Sequence, residues 1–260
     1  MNSVASLWIG NSLGLIERAS IQSFLKSGHR FVLYGYNPID GVPDGVEFRS
    51  AQEVLPTSNI IRHKKSGSPA LHSDLFRYAL LAKTDHIWVD LDVIALRHFD
   101  FSSDWVFGLE TPGEINGAVL KLPKDSLVLQ DLLAFDEHTI GLPPMMKGFQ
   151  KFRYLMKSFG RGFTIDQWPW GSIGPRALSY YLNRHGAFHH ALPINAFYAI
   201  PLDQAHQFAV PGAITLDTLP KDAWAVHLWG KQLRTYIQDE LDGQLPQECF
   251  LSECLQGRIP

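Results

Sequence analysis

The stretch HIWVDLDVIAL, residues 86–96, decides how the chain is interpreted, because it places two acidic residues inside an apolar run. Asp90 and Asp92 lie one residue apart, and the apolar residues on both sides predict a buried strand. An ionised carboxylate is costly in such surroundings unless another group compensates its charge. The stretch therefore predicts either a cation site at the end of the strand or a polar strand end whose acids cap a turn.

The segments before this stretch alternate between strand and helix patterns. The apolar run SLWIG (6–10) predicts a first strand, and RFVLYGY (30–36) predicts a second. Between them, LGLIERASIQSFLKSGHR has the apolar spacing of an amphipathic helix that ends near Gly28. Residues 37–67 are rich in Pro, Gly, Asp and Ser, and predict long loops around one short helix. This order is typical of a parallel α/β unit.

The best-defined helix is SPALHSDLFRYALLA, residues 68–82. Ser68 can cap it and Pro69 suits its first turn. Its apolar residues predict that most of the helix is buried, yet Asp74 and Arg77 share its remaining flank. Further strands are predicted near 86–90, 105–110, 117–122 and 224–230, and further helices near 125–135, 147–159 and 174–184.

Bulk properties exclude several classes of protein. The net charge of −3 argues against a general nucleic-acid binder, which normally carries a basic excess. We find no signal-peptide pattern and no run of about 18 apolar residues. Cys249 and Cys254 lack metal-ligand spacing, so a disulfide framework is not expected and a reducing cytoplasm is the simplest location.

Two carboxylates at the end of one strand can both reach a single divalent cation. Hard oxygen ligands suit Mg²⁺ or Mn²⁺, and substrate phosphates often complete the coordination of such ions. The sequence therefore predicts that a nucleoside diphosphate joins the cation at Asp90 and Asp92.

The segment SDLFRYALLAKTDHIWVDLDVIALRHF, residues 73–99, resembles the sugar-binding region of the Asp-X-Asp glycosyltransferases. The similar families are the α-1,4-galactosyltransferase-like and α-1,6-mannosyltransferase-like proteins and the glucosylating clostridial toxins. They share a Ser-Asp-X-X-Arg helix followed by a Tyr/Trp-X-Asp-X-Asp strand, and here Asp90 follows Arg77 by thirteen positions. SLWIG, INGAVLKLP, IGPRAL and AVHLWGK resemble later family segments in the same order. The chain departs from the family at 84–86, where Thr-Asp-His replaces the usual Gly-Gly.

The resemblance implies a role for each matching residue. It implies that Asp92 binds the metal, and that Asp90 holds the ribose and binds the metal directly or through water. Asp74 would bind the donor sugar's hydroxyls, and Arg77 would orient the sugar and phosphate. Trp8 would stack on uracil, while Ser73 and Trp88 belong to the same nucleotide-sugar region.

The resemblance extends to two further residues. The resemblance suggests His227 as a third metal ligand, and Asn116 as a group beneath the sugar near the reacting carbon. Each residue also has a structural alternative. Asp74 and Arg77 could form only a mutual ion pair, and Trp8 and His227 could be ordinary core residues. Asn116 could be a strand-end turn residue.

We therefore expect an α/β chain, with one Rossmann-like nucleotide-sugar-binding domain of the glycosyltransferase A type that has a mixed central sheet and added helices. This domain would span 1–260, with a nucleotide-binding part at about 1–125 and an acceptor-side part at about 126–260. The expected activity is retaining, Mn²⁺- or Mg²⁺-dependent transfer of a hexose from a UDP-linked donor. The acceptor would be a hydroxyl of a glycan or glycolipid, as in surface polysaccharide or lipopolysaccharide synthesis. The alternatives are a non-catalytic nucleotide-sugar binding protein and a metal-dependent nucleotidyltransferase.

The segment MMKGFQKFRYLMKSFGRGF, residues 145–163, contains five basic residues and no acid. At about 100° per residue, the cations between 147 and 161 lie on one helical face and the apolar residues on the opposite face. One interpretation is an ordinary surface helix whose apolar side lies in the core. The other is a basic face that contacts anionic lipid at the inner face of a membrane, or an anionic glycan.

Overall fold

The structure is a computed structural model that describes residues 3–258. Its strands are β1 (Ser3–Trp8), β2 (Arg30–Gly35), β3 (Glu47–Ser50), β4 (Ile87–Val89), β5 (Val93–Ala95), β6 (Val106–Thr111), β7 (Glu114–Lys121), β8 (Ile140–Gly141), β9 (Phe163–Thr164) and β10 (Ala225–His227). Its α-helices are α1 (Leu15–Lys26), α2 (Ala70–Lys83), α3 (Leu127–Leu133), α4 (Gly148–Lys157), α5 (Pro175–Arg184), α6 (Gly230–Glu240) and α7 (Phe250–Leu255).

Six strands form a mixed central sheet in the order β3-β2-β1-β4-β7-β6. The first four are parallel to one another, whereas β7 is antiparallel to both β4 and β6. The strand order reverses direction at β1, which lies between β2 and β4. In open α/β sheets, ligands bind outside the carboxyl ends of the strands at such a switch point. The topology therefore predicts a ligand site beside the loops that follow β1 and β4.

Alternating side chains of the sheet contribute to two separate layers of core. In β4, Trp88 belongs to the layer that contains α2, while Ile87 and Val89 belong to the opposite layer with α1. This is the period of two expected for a strand that is covered on both faces. A third cluster joins α1, α6 and α7 to β5 and β10, which pair with each other outside the central sheet.

The sequence predicted most of these elements, and the α/β class with a mixed central sheet is confirmed. Ser68 was expected to cap α2 and Pro69 to lie in its first turn, but Pro69 occupies the cap position, without a side-chain cap hydrogen bond. Ser68, one residue earlier, accepts a hydrogen bond through Oγ from the Ala70 amide. Residues 37–67, however, contain the strand β3, which was expected to be loop, and only a three-residue 3₁₀ turn at Ala51–Glu53. The helices α6 and α7 were not predicted.

Within residues 3–258, no helix combines the length and the apolar character that crossing a bilayer requires.

Candidate metal and nucleotide site

The two acids of the opening stretch lie in a turn that connects two sheets. The Asp90 amide donates to the Ala118 carbonyl (2.7 Å), which keeps the chain beside β7 after β4 has ended. The Val93 amide then donates to the Asp90 carbonyl (3.2 Å), and β5 begins. Leu91, between the acids, is buried in the core. Because Leu91 is directed inward, Asp90 and Asp92 are free to line the same cleft.

His227 is brought to these acids by the pairing of β10 with β5. The pairing is antiparallel and sets His227 opposite Val93, next to Asp92 in the chain. His227 Nε2 lies 3.2 Å from Asp92 Oδ1, and the Gly230 amide donates to Asp92 Oδ2 (2.8 Å). One potential ligand atom from each of Asp90, Asp92 and His227 lies within 4.8 Å of the others. The structure thus brings together the three residues that were predicted to bind metal.

One spacing within this group can be compared with that of an octahedral cation site. For metal–ligand distances of about 2.1 Å, neighbouring ligands are separated by roughly 3.0 Å and opposite ligands by roughly 4.2 Å. The 3.2 Å between His227 Nε2 and Asp92 Oδ1 is close to the spacing of neighbouring ligands. Two carboxylate oxygens and one imidazole nitrogen suit Mn²⁺ and also accommodate Mg²⁺.

The hydrogen bonding of the site is incomplete within the protein. Among residues 3–258, three buried side-chain polar atoms have no hydrogen-bond partner, and two of them, Arg77 Nε and His227 Nδ1, belong to residues that line this cleft. Such atoms normally find a partner in the protein, in water or in a bound ligand. Two of the three therefore belong to residues of this one cleft.

The protein itself compensates part of the acidic charge. Burial opposes ionisation of Asp92, but the charge and hydrogen bond of His227 outweigh it and lower the pKa of Asp92 to about 2. Burial would also lower the pKa of His227, but Asp92 raises it above its ordinary value. For Asp90, burial is the main cause of a raised pKa, which Arg77 opposes and Asp92 increases. A divalent cation at this point would favour the ionised form of both carboxylates.

Arg77 connects the α2 helix to the metal-site turn. It donates to Asp90 Oδ1 (3.0 Å) and to the Gly117 carbonyl (2.5 Å), and it lies 3.4 Å from Asp74 Oδ1. Its guanidinium also stacks 4.9 Å from the centroid of the Trp88 ring. The ion pair with Asp74 therefore exists, but it is the longer of two carboxylate contacts. Arg77 is not merely the partner of Asp74.

Asp74 lies against the start of α5. A Cβ atom on Gly174 would lie only 2.6 Å from Asp74 Oδ2, so the absence of a side chain at Gly174 makes room for this carboxylate. Burial raises the pKa of Asp74 to about 7, although Arg77 opposes the shift. Near neutral pH, Asp74 can therefore both accept and donate hydrogen bonds, which suits the hydroxyl groups of a sugar.

Asn116 lies within β7 rather than at a strand end, so the alternative of a turn residue is wrong. Its side-chain amide donates to Glu110 Oε2 (2.8 Å), and its Oδ1 accepts from the Ala118 amide (2.8 Å). Asn116 and Glu110 both line the cleft.

Three predicted residues lie elsewhere in the described structure. Trp88 is buried and does not line the cleft, but it contacts two residues that do: its indole N–H donates to Asp90 Oδ1 (2.6 Å) and its ring stacks with Arg77. Trp8 is half-buried at the end of β1, where its indole N–H donates to the Ser12 carbonyl (2.9 Å). Ser73 is half-buried on α2. Neither Trp8 nor Ser73 is among the residues that line the cleft, so their predicted contacts with a nucleotide remain predictions.

The cleft has a volume of about 380 Å³, and sequence reasoning missed several of the residues that line it: His63, Glu110, Trp168, Trp170, Trp229 and Lys231. The two tryptophans of the QWPWGS run, residues 167–172, were the one available signal, since aromatic residues beside Pro and Gly often line binding sites on loops. Four acids line the cleft against two side chains with a fixed positive charge, Arg77 and Lys231. This excess of acid favours a bound cation.

No model of a known protein family matches the chain, and no curated protein matches it.

Proposed function

We propose that the chain is a metal-dependent glycosyltransferase of the A type, which transfers a hexose from a nucleoside-diphosphate sugar, UDP-linked, to a hydroxyl of a glycan or glycolipid. The observation that carries the proposal is the cluster of Asp90, Asp92 and His227 in a cleft after the carboxyl end of β4, one of the two strands that flank the switch point of the sheet. Proteins of this topology bind nucleotides at that point, and a cation held there by few protein ligands is completed by phosphate oxygens.

Asp90, Asp92 and His227 would hold Mn²⁺ or Mg²⁺, which neutralises charge on the diphosphate leaving group when bound. The chain supplies further positive charge beside Asp90, Asp92 and His227. Lys231 lies in the first turn of α6, whose amino terminus adjoins Asp92, and helix amino termini favour phosphate. Arg77 adds a second positive charge, because its guanidinium forms an ion pair with Asp90.

The remaining lining residues suit a hexose. Asp74 presents a carboxyl group that is 13% exposed beside Arg77, and Asn116 donates a hydrogen bond to Glu110. Trp170, which is 54% exposed, provides aromatic surface in the lining of the cleft, where a sugar or base ring can stack. Retention at the anomeric carbon is implied by the resemblance of residues 73–99 to retaining enzymes. In this proposal the enzyme is cytoplasmic, and its acceptor lies at the inner face of a membrane.

The test is to incubate the protein with a panel of nucleoside-diphosphate sugars and to measure the nucleotide and the free sugar released, with and without Mn²⁺. We expect Mn²⁺-dependent hydrolysis of one donor, which the Asp92→Asn variant abolishes while the exposed Asp217→Asn variant does not. Mn²⁺-dependent thermal stabilisation by a donor, without any release, would instead indicate a binding protein. Release of pyrophosphate from UTP and a hexose 1-phosphate would indicate a nucleotidyltransferase.

A further inference from the structure

The helix α4 stands in an excursion between two short paired strands. Ile140 and Gly141 of β8 pair with Thr164 and Phe163 of β9, and the chain between them carries α4. We name residues 140–164 the α4 excursion. No residue of the helix itself is buried.

The apolar side of α4 faces outward. Phe149, Phe152 and Met156 follow one another at i, i+3 and i+7, and they are 72%, 58% and 65% exposed. Phe159, just beyond the helix, is 94% exposed. The interpretation of an ordinary surface helix with its apolar side in the core is therefore wrong. A contiguous exposed apolar surface of this kind marks an interaction site.

Five cations accompany this apolar stripe, and all are exposed: Lys147, Lys151, Arg153, Lys157 and Arg161. No acidic residue occurs between 145 and 163. The Arg153 guanidinium lies 6.0 Å from the centre of the Phe149 ring, so positive charge directly adjoins the apolar surface. The surface thus offers apolar groups and cations together, although the chain as a whole carries a net charge of −3.

We propose that the α4 excursion binds the surface of an anionic membrane, with its phenylalanines and Met156 among the acyl chains and its cations at the lipid headgroups. Amphipathic helices with this combination lie in the bilayer interface. A second copy of the chain fits the surface poorly, because a symmetric contact would bring five cations against five others. Anionic lipid complements both the charge and the apolar stripe.

The excursion is directly connected to the wall of the cleft. Tyr154 of α4 packs on Phe163 with ring centres 4.9 Å apart, and the Phe163 carbonyl accepts from the indole N–H of Trp168 (2.9 Å). Trp168 and Trp170 line the cleft. Membrane binding would therefore bring the cleft close to lipid-linked molecules. That consequence rests on the proposed function, whereas the lipid binding itself does not.

The test is co-sedimentation of the full chain with vesicles of phosphatidylcholine and phosphatidylserine, with phosphatidylcholine vesicles as the neutral control. We expect binding to the anionic vesicles at low ionic strength, release at high salt, and little binding to the neutral ones. Each cation near an anionic surface strengthens binding about fivefold, so reversing three should weaken it at least about 100-fold.

Three sets of variants separate the contributions. The basic set is Lys147→Glu, Lys151→Glu and Lys157→Glu; the apolar set is Phe149→Ser, Phe152→Ser and Met156→Ser; the control set is Lys65→Glu, Arg184→Glu and Lys221→Glu. All nine positions are exposed, so each set should keep the wild-type melting temperature. The basic and apolar sets should lose vesicle binding, and the control set should keep it despite having the same change in net charge.

Two results would overturn the proposal. In one, the wild-type chain stays in the supernatant with anionic vesicles at low salt. In the other, the control set loses as much binding as the basic set, which would show a general effect of net charge. Self-association that the apolar set removes, found by sedimentation velocity without lipid binding, would instead assign the surface to a second copy.

Discussion

Replacing Asp92 by Asn should destabilise the protein even when no metal is present. The pKa of Asp92 is lowered from its ordinary value of 3.8 to about 2, and its side chain is only 22% exposed. A difference of this size corresponds to about 2 kcal/mol of stability at neutral pH. Because solvent screens part of the interaction at a side chain that is 22% exposed, we expect the variant to lose on the order of 1–2 kcal/mol. For a chain of 260 residues, this lowers the melting temperature by about 2–4 °C.

The pH dependence of this loss identifies its cause. A carboxylate whose pKa is depressed on folding stabilises the folded state above its ordinary pKa, and this contribution disappears as the pH falls from about 4 to about 2. At the other end, the difference between wild type and variant should shrink as the pH rises past the elevated pKa of His227, since the imidazole then loses its charge.

The assay is urea unfolding in EDTA at several pH values, with the exposed Asp217→Asn as the matched control. An Asp92→Asn variant that is as stable as wild type at pH 7, or more stable, would refute the proposed interaction with His227.

Three further perturbations test the surroundings of the site. Arg77→Lys keeps the charge but cannot reach both Asp90 and the Gly117 carbonyl, so donor hydrolysis should fall by about tenfold or more; turnover within about threefold of wild type would contradict this. Gly174→Ala would place a methyl group 2.6 Å from Asp74 Oδ2 and should weaken donor binding measured by calorimetry, whereas Gly141→Ala, with no heavy atom within 4 Å, should not. His29 is buried, and its Nε2 accepts a hydrogen bond from the Phe99 amide. Burial lowers the pKa of His29 to about 4. Unfolding free energy should therefore fall by on the order of 2 kcal/mol as the pH drops from 6.5 to 4, and a His29→Gln variant that keeps the same pH slope in urea titrations would contradict the assignment.

The sequence was informative where a local pattern and burial agree. The apolar spacing of residues 68–82 predicted α2 because one stripe of that helix packs on the sheet, and Asp74 and Arg77 were correctly singled out as polar residues on it. The run before Asp90 predicted a buried strand because β4 is covered on both faces. The negative charge of Asp90 and Asp92 is compensated in part by the chain itself, through Arg77, His227 and the Gly230 amide.

Other features depend on contacts that no local pattern contains. His227 reaches Asp92 only because β10 pairs with β5, and a sequence cannot show that register. The strand β3 has no apolar run, since its residues are exposed or half-buried at the edge of the sheet. The periodicity of α4 predicted a basic and an apolar face, and the structure exposes residues of both. The pattern could not show that the apolar face is exposed, because the same pattern fits a helix packed on a core and a helix lying on a membrane.

The central claim is that Asp90, Asp92 and His227 hold a divalent cation that binds a nucleoside diphosphate. Isothermal titration of UDP into the metal-free protein, and then into the protein with Mn²⁺, tests it most directly. We predict that UDP binding requires Mn²⁺ in the wild type and that Asp92→Asn removes this dependence along with the binding. UDP that binds equally well in EDTA, or equally well to the Mn²⁺-loaded variant, would contradict the claim.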